Sequence, residues 1–186
     1  MDSSHVEHDL VNVLFTEAQI QQRLGEMALQ ITDDYAGRDL LVVGVLRGAV
    51  MVMADLARAL NRHIEMDWMA VSSYGSGTVS SGVVRILKDL DSDLTGRNVL
   101  IVEDIIDSGL TLSWLRGNLE SRGAASVEIC TMLRKPDALK VEVDVKYCGF
   151  DIPNEFVIGY GLDYAEQYRN MRGIGVLAPH VYSDAK

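Results

Sequence analysis

The chain has 186 residues, 48% of them hydrophobic and 24% charged, with a formal net charge of −10. That is the length of one domain and the composition of a soluble globular protein, and the acidic balance argues against general nucleic-acid binding, which needs a basic face. No apolar stretch approaches a membrane span, and MDSSHVEHDL lacks the basic and apolar regions of a secretory leader, so a cytoplasmic location away from membranes is expected.

His5 and His8 read as part of a frayed polar N-terminus rather than as metal ligands. Thr16-Glu17-Ala18-Gln19 has capping-box spacing, and Ile20, Leu24, Met27, Ala28 and Ile31 then recur at helical intervals, predicting a helix to about Tyr35. Leu40 to Val45 reads as a buried strand, and Leu46-Arg47-Gly48-Ala49 leads from it into a helix through Leu60. Strands are expected at Glu65 to Ser72 and Val83 to Leu87, separated by SYGSGTVSSG, which is either a plain connection or a lid over a site. Asp93 to Gly96 forms a turn, and Thr111 to Arg122 a helix closed near Gly123. Further strands are expected at Val127 to Leu133, Val143 to Cys148 and Phe156 to Tyr160. Cys130 and Cys148 lie in such apolar segments and read as reduced core residues. Strands alternating with helices favour a mainly parallel α/β sheet, with no repeat or linker to divide it.

Val99 to Leu112, VLIVEDIIDSGLTL, carries the chemistry. Val99, Leu100, Ile101 and Val102 form an unbroken apolar run, the pattern of a strand buried on both faces. A short loop is expected to follow, carrying Glu103, Asp104, Asp107, Ser108, Gly109 and Thr111 and opening a helix. Ligands of open α/β sheets bind beyond the carboxyl ends of the strands, and a helix N-terminus cradles phosphate. The carboxylates suit sugar hydroxyls or Mg²⁺ instead, so the parts together point to a sugar-phosphate site.

An apolar strand, two acids and then D-[ST]-G-x-T resembles the signature of the type I phosphoribosyltransferases, and the likeness runs from about Leu10 to Leu177. It implies one domain spanning 1–186, with an α/β core of about 36–145. The core is a central, mainly parallel sheet flanked by helices, under a small hood built from about 1–15 and 146–186. Leu46-Arg47-Gly48 is similar to the pyrophosphate loop of hypoxanthine-guanine members, which implies a cis peptide between Leu46 and Arg47. Ser73-Tyr74 resembles the start of the family's flexible catalytic loop. Lys135 and Phe150 to Asn170 resemble its purine-binding end. The likeness implies that Lys135 donates to the purine 6-oxo group, Phe156 stacks on the base and Val157 offers backbone contacts. Asp163 would bind metal, and Arg169 would bind pyrophosphate with Arg47.

The resemblance implies transfer of a 5-phosphoribosyl group from phosphoribosyl pyrophosphate to hypoxanthine or guanine, giving IMP or GMP, a purine-salvage reaction using Mg²⁺. The amides of Asp107 to Leu110 and the hydroxyls of Ser108 and Thr111 would grip the 5′-phosphate. Glu103 and Asp104 would hold the ribose hydroxyls, directly or through Mg²⁺, so that Glu103, Asp104 and Asp163 are the candidate metal ligands. Asp107 is the candidate general base at purine N7. Ser108 does not read as a nucleophile, since no histidine lies near it in sequence. Nucleic-acid and membrane partners are not expected; a homodimer or homotetramer is, from the family's habit. Rival readings are a transferase for another base such as xanthine, a regulatory protein that only senses the sugar phosphate, and a flavodoxin-like receiver domain. Positions 136–143 and the last residues carry no usable motif.

Overall fold

The computed structural model describes residues 1–73 and 84–183. A 3₁₀ segment, Ser3–Asp9, leads into strand β1, Leu10–Phe15. Helix α1, Glu17–Asp34, starts on the expected capping box, with Thr16 accepting from the Gln19 backbone and Gln19 reaching back to the Thr16 N–H. Then come β2 (Leu41–Leu46), α2 (Val50–Ala59), β3 (Glu65–Ser73) and β4 (Val84–Lys88). They are followed by β5 (Asn98–Ile106), α3 (Leu110–Ser121), β6 (Ser126–Arg134), β7 (Tyr147–Asp151), β8 (Val157–Ile158), β9 (Ile174–Leu177) and α4 (Pro179–Ser183).

The architecture is α/β, with a central six-stranded sheet in the order β4-β3-β2-β5-β6-β7. Every neighbouring pair in it is parallel except β3 with β4. Successive residues of its central strands feed opposite cores, as the pleat requires. Val42, Leu100 and Val102 pack with Ile20, Leu24, Met27 and Ile31 of α1 and with Val52 and Met53 of α2. Val43, Val99 and Ile101 pack instead with Leu112, Leu115 and Leu119 of α3. From β2 the chain proceeds to β3 on one side, and from β5 to β6 on the other. The carboxyl ends of β2 and β5 therefore form the switch point where an open α/β sheet holds its ligand.

Several elements differ from the sequence expectation. Glu103 and Asp104 do not start a loop, because β5 continues through them to Ile106, paired with β6 as far as Arg134. The strand expected over Val143 to Cys148 forms only from Tyr147, where β7 begins; Val143 and Val145, with Val141 before them, pack irregularly over the α3 side of the sheet. The Lys140 and Val141 N–H groups go to the Ser108 carbonyl instead of to a ladder. Of Phe156 to Tyr160 only Val157–Ile158 is strand, since Gly159 and Tyr160 have positive φ. It joins β9 and β1 in a second, three-stranded antiparallel sheet, order β1-β9-β8, built from the terminal segments expected to form the hood; the sequence predicts neither β1 nor the central strand β9. The first residues are tied down rather than frayed: the Met1 amino group donates to the Asn170 carbonyl at 2.9 Å, and Arg172 N–H donates back to Met1. Cys130 and Cys148 are free thiols.

Candidate active site

The loop after β5 is built as a cradle. Asp107, Ser108, Gly109 and Thr111 line a recess of about 190 Å³, with Glu103 on its wall. Gly109 turns the chain with a φ of 76° and, as the residue that caps α3, brings no side chain to its first turn, so most of the leading N–H groups stay available to an anion. The loop is braced from behind, where a β-carbon on Gly109 would sit 2.9 Å from the Val141 carbonyl. Ser108 Oγ lies 3.5 Å from the Leu110 N–H. Lys140 and Val141 donate to the Ser108 carbonyl at 3.0 and 3.4 Å. Sequence reasoning passed over 136–143 because bracing by backbone leaves no mark in side-chain type.

Glu103 and Asp104 do not act on the same space. Being consecutive in a strand, they face opposite sides of the sheet: Glu103 follows Val99 and Ile101 into the cradle, and Asp104 follows Val102 toward the β2 loop. Burial, reinforced by the neighbouring Asp104 charge, pushes Glu103 well above the usual carboxylate range. Burial also pushes Asp104 up to about 6, against the Ile105 N–H that donates to Oδ1 at 2.8 Å, the charge of Arg169 opposing and that of Asp163 adding.

On the Asp104 side, β2 ends in a cis peptide between Leu46 and Arg47. Gly48 is glycine for a steric reason: a β-carbon would overlap Asp104 Oδ2 and lie 2.5 Å from its Cγ. Gly161 in turn abuts the Gly48 carbonyl, so that the backbones of 48 and 161 approach directly. This brings in the segment after β8. Arg169 Nη1 donates to the Gly161 carbonyl and Nη2 pairs with Asp163 Oδ1, both at 2.8 Å. Arg47 Nη1 reaches Glu166 Oε2 at 2.9 Å. Tyr168, with φ of 71°, anchors the same segment by donating its hydroxyl to Asp9 at 2.9 Å. Tyr168 reads from the sequence as a packing residue rather than a ligand, whereas Glu166 and Asp9 carry no sequence signal. Aspartate and glutamate are common surface residues, and only the folded loop shows what they hold.

The third part lies beyond β6. Ile106 pairs with Arg134, and the Lys135 N–H continues the contact by donating to the Ile106 carbonyl at 2.9 Å. Lys135 is only 8% exposed, and its Nζ lies 3.8 Å from Asp107 Oδ2. A buried ammonium with one carboxylate at that range has donors to spare for a ligand. Phe156 is 42% exposed and stands between Tyr164, edge-on at 5.8 Å, and Tyr182 of α4, stacked at 5.5 Å. Val157 is buried and paired with Val176. Tyr182 is a contact the sequence did not flag.

The structure thus gathers Leu46, Arg47, Gly48, Asp104, Asp163 and Arg169 on one side, and Glu103 with Asp107 to Thr111 on the other, with Lys135 reaching Asp107. It does not unite Glu103, Asp104 and Asp163, and among the described residues no group of three acidic, histidine or cysteine side chains is placed to hold an ion. Asp104 and Asp163 still suit Mg²⁺, which takes one or two carboxylates plus substrate phosphate oxygens. The raised Asp104 carboxyl is a desolvated hard donor short of positive charge. Ser73 closes β3 beside this site, and Tyr74 lies outside the described residues together with the rest of the expected lid.

A family model for the phosphoribosyl transferase domain matches residues 13–165. The hypoxanthine-guanine phosphoribosyltransferase of Mycobacterium tuberculosis strain H37Rv is 58% identical over 180 residues, covering 94% of this chain and 89% of that protein. The Bacillus subtilis protein of the same name is 50% identical over 177 residues, covering 95% and 98%. A crystal structure of a hypoxanthine phosphoribosyltransferase from Staphylococcus aureus superposes with a TM-score of 0.93 at 47% identity, covering 96% of this chain and 97% of that one.

Proposed function

This chain belongs to the phosphoribosyltransferase family, and from that membership we infer how its residues divide a purine-salvage reaction. The enzyme transfers the 5-phosphoribosyl group of phosphoribosyl pyrophosphate to hypoxanthine or guanine, giving IMP or GMP and pyrophosphate.

The reading of the site is carried by one observation: Lys135 Nζ lies 3.8 Å from Oδ2 of Asp107, which lines the cradle. An acid and a cation so placed lie where the new bond joins sugar to base. Lys135 donates to the 6-oxo group, which an adenine amino group cannot accept, and Asp107 takes the proton at N7. Phe156 offers its exposed ring to the purine, and the Val157 backbone serves the base edge. The amides of Asp107 to Leu110, with Ser108 and Thr111, hold the 5′-phosphate, while Glu103 faces the ribose from the cradle wall. Its carboxylate also suits a sugar developing positive charge. Across the sheet, Arg47 and Arg169 take the pyrophosphate with the loop of Leu46 and Gly48. Asp104 and Asp163 would hold Mg²⁺, which when bound neutralises charge on the leaving pyrophosphate.

Ser73, Tyr74 and the residues that follow are proposed to cover the reacting sugar and exclude water. By the family's habit we propose a cytoplasmic homodimer or homotetramer. Separately, among the described residues no helix is long and apolar enough to cross a membrane. The site reading is tested by thermal unfolding with phosphoribosyl pyrophosphate and Mg²⁺. A ligand held by the native state alone at a hundred times its Kd adds about 2.7 kcal/mol of stability. The unfolding temperature should rise with ligand, and less so in Ser108→Ala and Thr111→Val. No rise in the unaltered chain would refute the assignment.

A further inference from the structure

Arg47 and Arg169 are both engaged by one carboxylate, that of Glu166, which has no task in the reaction described above. Its Oε2 lies 2.9 Å from Arg47 Nη1, and both its oxygens lie 3.4 Å from Arg169 Nη2. The backbone aims it there. Ala165 and Glu166 have φ of 50° and 63°, a left-handed conformation uncommon outside glycine. The turn is closed by Glu166 N–H donating to Asp163 Oδ2 at 2.9 Å and by reciprocal Tyr164–Gln167 backbone bonds of 3.3 and 3.0 Å.

We propose that Glu166 is a placeholder anion. Its carboxylate bridges the two guanidinium groups until the pyrophosphate moiety arrives, yields them to it, and reclaims them as pyrophosphate departs. This rests on the assignment of Arg47 and Arg169 to pyrophosphate. A carboxylate and a phosphate compete for the guanidinium N–H donors that Glu166 holds, and their like charges repel, so each weakens the binding of the other. The displacement is easy, because the side chains of Arg47 and Glu166 are 72% and 64% exposed, and exposed pairs are weak. Asp163 is different: it holds Arg169 at 2.8 Å from a position only 28% exposed and keeps that arginine oriented when Glu166 leaves. The consequence is a deliberate weakening of pyrophosphate binding, which speeds release of a product carrying several charges.

The test is direct binding of inorganic pyrophosphate with Mg²⁺, by calorimetry at one pH, to the whole chain and to Glu166→Gln. The variant should bind about three- to five-fold more tightly, the scale of one exposed ion pair removed from competition. Glu166→Asp keeps the charge but withdraws it from Arg47, and should shift the affinity in the same direction by less. A residue that merely supports the loop would weaken binding when changed. Arg47→Ala, measured alongside, should weaken binding. If it does, and neither Glu166 variant binds more tightly, the placeholder is refuted and the site reading survives. If Arg47→Ala has no effect, the pyrophosphate assignment falls and the placeholder with it.

Discussion

Gly48→Ala tests whether the two halves of the site meet as described. The backbone at Gly48 does not need glycine's left-handed freedom, so the substitution acts through volume alone. The new methyl would lie 2.5 Å from Asp104 Cγ, whereas two carbons rest about 3.7 Å apart. Asp104 must therefore retreat by at least roughly 1.2 Å, and further for the overlapped Oδ2, or the Arg47-Gly48 loop must move, and the latter is stopped by Gly161 against the Gly48 carbonyl. Overpacking of this kind costs about 1–3 kcal/mol, which for a chain of this size lowers the unfolding temperature by about 3–10 °C. Displacing a reacting-site group by an ångström costs on the order of a hundredfold in rate, read as kcat/KM for phosphoribosyl pyrophosphate. The control is a double-mutant cycle with Asp104→Ala, which removes the carboxylate that the methyl strikes. In that background Gly48→Ala should cost less than about 0.5 kcal/mol, while activity stays low. Thermal unfolding and initial rates of the four proteins give the answer. A stability cost of the same size in both backgrounds would refute the steric reasoning.

Asp107→Asn should lower kcat by about 10²–10⁴, the range of a lost general base, with phosphoribosyl pyrophosphate binding by calorimetry largely kept; unchanged turnover removes Asp107 from that role. Lys135→Ala deletes a charged donor worth about 1.5–3 kcal/mol and should cut kcat/KM for hypoxanthine by about 10- to 100-fold; unaltered purine kinetics would sink the assignment. Burial pushes Asp67 up, but the backbone N–H groups of Trp68, Ser92 and Asp91 outweigh it and hold its carboxyl below the usual range. A depressed native pKa contributes stability that is present above the unfolded value near about 4 and lost as pH falls through the native one. Asp67→Asn should therefore unfold at lower temperature at pH 7, and the deficit should close as the pH is taken below about 4; an equal deficit at both ends would contradict this.

Local patterns were legible where one element suffices. The capping box at Thr16, the apolar run of Val99 to Val102 and the helix opened by Asp107-Ser108-Gly109 all state their structure within a few residues. Strand periodicity misled at Val143 and Val145, because alternation reports burial on one side and says nothing about where the N–H groups go. It also hid that β5 carries Glu103 and Asp104 to opposite faces, since two adjacent acids look like a loop until β6 pairs with them. The short strands at the chain's ends escaped notice because each depends on a partner far away in sequence, as Leu10 does on Leu177. Glu166 was invisible for the same reason: its meaning lies in Arg47, on another loop.

The central claim is the acceptor, and initial rates with phosphoribosyl pyrophosphate, Mg²⁺ and each of hypoxanthine, guanine, xanthine, adenine and uracil test it most directly. Conversion of hypoxanthine and guanine to IMP and GMP, with adenine and uracil untouched, is the predicted outcome. Turnover of adenine at a comparable rate, or silence with all the bases, would contradict it.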